Sequence, residues 1–187
     1  MTQTSRQRVL DALEHRSADR VPIDFGSTNS TGITKPAYHR LLNHLGLDLE
    51  VSVFDRAQQL VCVNEEVLER FSIDTRGLII KGPDRSDEEL PNDCFRDEWR
   101  IIRRRPSGGL YYDLVFSPFE EHISFSALEH YPWPDPKDPG RFRGLRQEAE
   151  YWRGQGDHAL VLQIRGGFIT QAELLRGFGK FLMDLLL

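Results

Sequence analysis

The sequence predicts an α/β fold with a parallel sheet and one inserted β-hairpin. Apolar, strand-like segments alternate with helical patterns, which is typical of parallel strands joined by crossover helices. Three segments have the composition of such strands: 21–25, 75–80 and 159–164. The last leads through a double glycine into an apolar helix that continues to Leu187. A helix of this kind normally docks against a following strand, so we expect the chain to be the opening part of a larger α/β enzyme.

The first predicted elements are a helix, a short strand and a polar loop. Thr4 and Gln7 have the spacing of a capping box, which predicts that a helix begins there. Pro22 lies near the start of the strand at 21–25, where a missing N–H is tolerated. The segment 26–35 that follows is polar and contains glycine, so we expect a loop.

Helix boundary signals mark the next part of the chain. Pro36 suits the first position of a second helix, and Gly46 is a good stop for it. The β-branched segments 51–54 and 60–63 predict short strands. Asn64 then predicts the cap of a third helix.

A β-hairpin is predicted in the middle of the chain. Apolar and polar residues alternate over 98–115 on either side of a Pro-Ser-Gly-Gly turn. The preceding segment, 81–97, is polar, and we expect it to be irregular. Ser126 and Glu129 predict a capped short helix, and four prolines within 132–139 predict a stiff connector.

The C-terminal helix is expected to present apolar side chains that lack a partner. Such side chains favour self-association or the binding of a complementing chain. The residues concerned are Phe181, Leu182, Met183, Leu185, Leu186 and Leu187.

Composition and charge exclude several classes of protein. Hydrophobic residues make up 39% and charged residues 28% of the 187 residues, as in folded domains. The net charge of −5 argues against a nucleic-acid partner, which requires a basic surface. The N-terminus lacks a signal-peptide core, and no segment has the roughly 18 apolar residues of a membrane span. We expect a cytoplasmic protein with no membrane partner.

The candidate binding residues follow the first and third predicted strands, because parallel α/β proteins bind ligands at the carboxyl ends of strands. Asp24 lies at the end of the first strand and Asn29 in the polar loop after it, although Asp24 is equally suited to accepting hydrogen bonds from backbone N–H groups of its own loop. Arg165 suits a carboxylate ligand, and Gly166 and Gly167 allow close approach of an anion or, alternatively, tight strand–helix packing. These five residues are the predicted substrate-binding set.

The remaining reactive side chains form no metal or nucleophile motif. His39 and His44 are five residues apart, about 140° around one helix, which is unsuited to a single metal ion. Cys62 and Cys94 are too few for a disulfide scaffold and too distant for a zinc motif. Walker, Gly-x-Gly-x-x-Gly and Gly-x-Ser-x-Gly patterns are absent from the sequence. We expect no metal or other cofactor bound by this chain alone, and no catalytic residue is identified.

Several segments, taken in order, carry a family resemblance: RQRVLDALEHRSADRVPIDFG, VLERFSIDTRGL, DEWRI with YYDLVFSPF, YPWPDPKDPGRF, and GGFITQAELLRGFGKFLMDLLL. Together they resemble the uroporphyrinogen decarboxylase superfamily, which includes the methylcobamide:coenzyme M methyltransferases. The resemblance implies a (βα)8 TIM barrel about twice as long as this chain, with its substrate cleft at the carboxyl ends of the strands. Residues 1–187 would then be the N-terminal part of the barrel, a single truncated domain.

The decarboxylase branch of the family fits this sequence poorly. Its members carry an RQAGR-type motif after the first strand, whose arginines hold substrate carboxylates. Here that region reads DFGSTNSTGI, without an arginine. Lys81 aligns with the family's active-site Asp, and Glu173 lies near the position of its active-site Tyr. These departures argue against uroporphyrinogen as substrate.

The methyltransferase-like branch fits better, and it implies zinc and a corrinoid protein as partners of full-length relatives. Those enzymes hold zinc with a His-x-Cys motif and a later Cys, and zinc favours the thiolate that accepts a methyl group. These ligands lie in the second half of the family's barrel. Cys62 and Cys94 do not match the motif.

Three hypotheses for function follow. The first is the N-terminal half of a corrinoid-dependent methyltransferase-like enzyme acting on a small molecule. The second is a carboxy-lyase of tetrapyrrole biosynthesis, and the third is a non-catalytic remnant or binding module. We expect the isolated chain to be inactive in methyl transfer and in decarboxylation.

Overall fold

The protein has a mixed α/β fold that divides into two compact units. A computed structural model describes residues 3–85, 87–164 and 167–186. The first unit comprises Met1–Lys81 and Phe142–Ile164, and the second comprises Gly82–Arg141 and Arg165–Leu187. The second unit is therefore formed largely by an insertion between two parts of the first.

Helices and strands occur in both units. The helices are α1 (Ser5–Leu13), α2 (Lys35–Leu45), α3 (Glu65–Arg70), α4 (Phe125–Glu129), α5 (Leu145–Gly154), α6 (Phe168–Arg176) and α7 (Phe178–Asp184). The strands are β1 (Val53–Asp55), β2 (Leu60–Val61), β3 (Thr75–Ile79), β4 (Glu88–Leu90), β5 (Cys94–Arg96), β6 (Ile102–Arg104), β7 (Asp113–Phe116) and β8 (Ala159–Gln163). Short 3₁₀ helices occupy Asn29–Thr31 and Pro139–Phe142.

A two-stranded parallel sheet lies at the centre of the first unit. Strand β3 pairs with β8 in a regular register that begins at Thr75 and Ala159 and ends at Ile79 and Gln163. The sequence predictions of strands at 75–80 and 159–164, and of parallel pairing, are thus confirmed. The helices and the parallel pair establish the α/β class. The described residues do not form a closed barrel, and the barrel itself stays a prediction.

The strand predicted at 21–25 is absent, because a side chain replaces the partner strand. Ile23 accepts a hydrogen bond from the Asp74 N–H (2.9 Å), as a strand residue would. Its own N–H donates instead to the Asp74 carboxylate (2.8 Å). Pro22 has no N–H to donate. The segment therefore lies extended beside the start of β3 without forming a regular ladder.

The apolar core of the first unit centres on Tyr38, which is fully buried with Leu42, Val61 and Val67. The Tyr38 hydroxyl accepts a hydrogen bond from the Asn64 N–H (2.9 Å) and donates to the Asn64 side chain (2.7 Å). Asn64 does precede α3, as predicted, but its side chain is used in this way and does not cap the helix. Burial raises the pKa of Tyr38.

Helix boundaries agree with most of the predicted signals. The Thr4 side chain accepts the Gln7 N–H (3.1 Å) at the start of α1. Gly46 ends α2 in the left-handed conformation, with φ of 68°. The cap predicted at Ser126 is wrong by two residues, because Ser124 accepts the Ala127 N–H and caps α4.

The second unit contains a four-stranded antiparallel sheet in the order β4-β5-β6-β7. The β6–β7 pair confirms the predicted hairpin. The prediction that 81–97 is irregular is wrong, since β4 and β5 lie within it. Phe95 is buried there between half-buried polar neighbours, and a single apolar residue is too weak a pattern to predict a strand from sequence.

The core of the second unit is aromatic. Ile101, Phe119 and Leu175 are buried, and Tyr131 packs against them. The rings of Phe119 and Tyr131 lie 4.7 Å apart between centroids, and the Tyr131 hydroxyl donates to the Trp99 carbonyl (2.6 Å). This last bond satisfies the one polar atom that the ring carries into the core.

The C-terminal helical segment is broken, which corrects the prediction of one uninterrupted helix. Gly177 has φ of 81° and separates α6 from α7. Arg176 donates to the carbonyls of Phe119 (2.6 Å) and Glu120 (2.8 Å), so the break lies against the rest of the second unit. In the part of the chain that is described, no helix is both long and apolar enough to cross a membrane.

Candidate functional site

One face of the parallel sheet carries polar side chains beneath a loop. Side chains alternate between the two faces of a strand, so Gly77 and Gln163 belong to the same face. The loop 26–32 lies on this face. A Cβ atom at Gly77 would be 2.8 Å from Cα of Ser27, which is closer than real Cβ contacts. Glycine at 77 therefore allows the loop to approach the sheet, and we call this surface the loop face.

Three side chains form a hydrogen-bonded relay on the loop face. The Asn29 amide donates from Nδ2 to Oδ2 of Asp55 (2.7 Å). The Gln163 amide donates from Nε2 to Oδ1 of Asn29. Asp55 also accepts the Gln58 N–H at Oδ1 (2.9 Å). The relay connects the end of β8 to the end of β1 through the loop, and Asp55 and Gln163 are both buried.

Asp24 is bound by two hydroxyl groups, one from the loop and one from β3. Its Oδ1 accepts from Thr75 (2.6 Å) and its Oδ2 accepts from Thr31 (3.0 Å). The bond from Thr31 lies within the loop, but its donor is a side-chain hydroxyl and not one of the backbone N–H groups of the alternative interpretation. The bond from Thr75 fastens the loop to β3, so Asp24 helps to hold the loop face together.

Two buried polar atoms on this face have no hydrogen-bond partner among the described residues. They are Oγ of Ser27 and Oε1 of Gln163. Ser27 is 2% exposed and Gln163 is 8% exposed. Buried polar groups are nearly always paired, so each such atom requires an explanation.

The structure brings together two of the five predicted binding residues. Asp24 and Asn29 both lie on the loop face. Arg165 and Gly166 lie outside the described residues. Gly167 precedes α6 with φ of −111°, a conformation open to any residue.

Sequence reasoning missed Ser27, Asp55 and Gln163 as site residues. A polar Gln163 as the last residue of an apolar strand was the available signal. The sequence carries no such signal for Asp55, because the nearness of Asp55 to Asn29 depends on the tertiary fold.

An ion network fastens the segment before the loop to β3. Asp74 is fully buried and forms ion pairs with Arg8 (2.5 Å) and Arg20 (2.7 Å). Burial alone raises the pKa of Asp74, but the hydrogen bonds from Ile23 and the two arginines outweigh it and hold the pKa below its usual value. Arg8 also pairs with Asp19 (2.6 Å), which lowers the pKa of Asp19 to about 2.

The opposite face of the sheet is covered by α5. Arg76 is 1% exposed and pairs with Glu65. Its guanidinium lies 5.6 Å from the ring centre of Trp152 on α5. Burial, and then the charge of Arg76, lower the pKa of His158.

The described residues do not supply a zinc site. They contain no group of three or more His, Cys, Asp or Glu side chains placed to hold a metal ion. Cys62 is exposed in the first unit, and Cys94 is half-buried in the second. The zinc implied by the resemblance therefore does not fit these side chains.

Comparison with protein-family models, curated proteins and solved structures finds no match for the chain. The family resemblance therefore depends on the sequence segments alone.

Proposed function

We propose that the loop face is one wall of the substrate cleft of an enzyme of the uroporphyrinogen decarboxylase superfamily, in its methylcobamide:coenzyme M methyltransferase-like branch. The observation that carries this proposal is the relay of Asp55, Asn29 and Gln163 at the carboxyl end of β8. Parallel α/β enzymes bind substrates at this end of their strands. The wall would contact a small-molecule substrate or a corrinoid protein.

The two faces of the parallel sheet support the barrel part of the proposal. One face packs against a helix through Arg76 and Trp152, and the other carries the polar relay. Strands of a (βα)8 barrel have the same asymmetry, with helices outside and side chains of the cleft within. Strands β3 and β8 would be two of the eight.

The composition of the wall favours the methyltransferase-like branch over the decarboxylase branch. A tetrapyrrole with several carboxylates requires cationic groups to balance its charge. The side chains of the loop face are instead carboxylates, amides and hydroxyls, represented by Asp24, Asn29 and Ser27. The loop itself contains no arginine.

Methyl transfer would require zinc ligands from another chain or segment, because the described residues do not form such a site. The 187 residues contain no His-x-Cys motif. We therefore expect neither methyl transfer nor decarboxylation from this chain alone. A complementing chain or a second copy would have an apolar surface on α7 and just beyond it, where Leu182, Met183, Leu185 and Leu186 are exposed.

Ligand binding tests the proposal without requiring turnover. Methylcobalamin and uroporphyrin III are titrated separately into the chain by equilibrium dialysis. We expect saturable binding of methylcobalamin and none of uroporphyrin. Asn29→Leu breaks both hydrogen bonds of the relay and should weaken methylcobalamin binding about tenfold. Asn43→Leu, at an exposed position of α2, is the matched control.

Two results would contradict the proposal. Saturable binding of uroporphyrin that depends on Asn29 would favour the decarboxylase hypothesis instead. Binding of neither ligand by the wild-type chain would leave the loop face without the proposed role.

A further inference from the structure

The relay fixes the direction in which the Gln163 amide points. Asn29 donates to a carboxylate, Asp55, which can only accept, so the Asn29 carbonyl must face the other way. The NH2 group of Gln163 donates to that carbonyl. Oε1 of Gln163 is consequently held in one orientation by two successive hydrogen bonds.

Oε1 of Gln163 is a strong acceptor that the described residues do not use. Donation by the NH2 group along a chain that ends in a carboxylate polarises the amide and makes its oxygen a better acceptor. The atom is buried and without a partner, and Oγ of Ser27 on the same face is in the same state. Oε1 of Gln163 can only accept, and the Ser27 hydroxyl can accept as well as donate, so a ligand that donates would satisfy both.

The charge of the loop face indicates the kind of donor. Asp24 is held by the hydroxyls of Thr75 and Thr31, and neither group brings a positive charge. A ligand carboxylate here would meet acceptor atoms and a negative charge. A ligand cation with N–H groups would supply hydrogen-bond donors to the acceptor atoms and a positive charge to balance Asp24.

We propose that the loop face binds the protonated amine of a small ligand, with Gln163 Oε1 and Ser27 Oγ as acceptors and Asp24 as the nearby charge. The inference rests on the proposed function, since it names the chemical class of the ligand at the same wall. An ammonium group supplies three N–H donors and one positive charge.

Side-chain amide NMR of the 15N-labelled chain tests this directly, with methylammonium chloride as the probe. Tetramethylammonium has the same charge but no N–H, and acetate has the opposite charge. We expect a saturable shift of the Gln163 amide signal with methylammonium, and none with the other two ions.

Two substitutions assign the site. Gln163→Met keeps the length of the side chain and removes the acceptor. With the Asn29 side-chain amide signal as the readout, we expect binding to weaken about tenfold, within the range for a hydrogen bond to a charged group. Gln155→Met, at the exposed end of α5, should leave binding unchanged. If Gln163→Met does not fold, Ser27→Ala removes the second acceptor alone and should weaken binding in the same direction.

The outcomes separate this inference from the proposed function. No saturable shift with methylammonium, while methylcobalamin still binds, would overturn the amine site alone and indicate a buried water at Gln163. Equal shifts with tetramethylammonium would also overturn it, because charge attraction would then suffice. If the wild-type chain bound neither methylammonium nor methylcobalamin, both proposals would be overturned.

Discussion

Both compact units have an apolar core, but among the described residues only the first unit also buries charged side chains. In the first unit, charged side chains are buried: Asp74 and Arg76 are 0% and 1% exposed. In the second unit, aromatic rings such as Phe119 and Tyr131 fill the interior. Its ion pairs include Arg105 with Asp93 (2.7 Å), and both of these side chains are exposed.

This difference shows where a polar ligand would be accommodated. A buried charge is costly unless its partners are well placed, and it contributes more to a defined geometry than to stability. The first unit already positions several buried polar groups around the parallel sheet, including the relay that ends at Gln163. The second unit pairs the Tyr131 hydroxyl within its core, but Oγ of Ser117 and Nε2 of Gln171 are buried there without a partner among the described residues. We assign binding to the first unit because its unpaired Ser27 and Gln163 atoms lie on the face that also carries the relay.

Breaking the buried ion network should have the largest effect. Asp74→Asn removes the charge that faces Arg8 and Arg20, and leaves Arg8 buried with less compensation. We expect a loss of about 3–5 kcal/mol in the free energy of unfolding, measured by urea denaturation. Hydrogen exchange should locate the loss in the first unit. Asp184→Asn, in an exposed ion pair with Arg176, is the control and should change stability very little.

Opening a cavity in the second unit tests how much its apolar core contributes to stability. Ile101 is fully buried, and Ile101→Ala should cost about 2–5 kcal/mol. Ile123→Ala, at an exposed position of the same unit, should cost far less. If faster hydrogen exchange in Ile101→Ala spread equally into the first unit, the two interiors would not be independent.

Adding one methyl group under the loop should have an intermediate effect. Gly77→Ala places a Cβ atom 2.8 Å from Cα of Ser27, so loop or strand must shift. We expect a loss of about 1–3 kcal/mol in thermal or urea unfolding. Gly179→Ala in α7 meets no atom within 4 Å and should stabilise the chain by about 0.5–1 kcal/mol. Equal effects of the two substitutions would refute the close approach of the loop.

The smallest expected effect is a pH dependence from His158. Its pKa is lowered from 6.5 in the folded chain by burial and by Arg76. Below pH 6.5 the His158 imidazole therefore binds a proton more readily in the unfolded state than in the folded state. The free energy of unfolding consequently falls on acidification. His158→Gln should reduce the loss of stability between pH 7.5 and 5.5 in urea denaturation. His39→Gln, which is exposed on α2, should not.

The regular elements were largely predictable because their signals are local. Strand β8 begins with four consecutive apolar residues, β3 ends in the apolar pair Leu78 and Ile79, and Gly46 ends α2 through its own backbone freedom. The predicted strand at 21–25 failed because Asp74, far along the chain, takes the hydrogen bond that a partner strand would provide. No local pattern contains that information.

The candidate site was predictable only in part, for the same reason. Asp24 and Asn29 were identified because one ends a short apolar segment and the other lies in the polar loop that follows it. Asp55 and Gln163 come to Asn29 through the fold, and no spacing in the sequence relates the three. The unused acceptor at Gln163 depends on the orientation of an amide, which composition cannot reveal.

The relay has a consequence for how the protein folds during synthesis. Asn29 and Gln163 are 134 residues apart, and β8 reaches β3 only after the whole segment Gly82–Arg141 has been made. Contacts between distant residues slow folding, because a long loop must close before they form. The ribosome therefore releases Gly82–Arg141, the larger part of the second unit, before the first unit can complete its sheet. A slow or failed collapse of the insertion would leave the loop face unassembled, although every residue of the relay was intact.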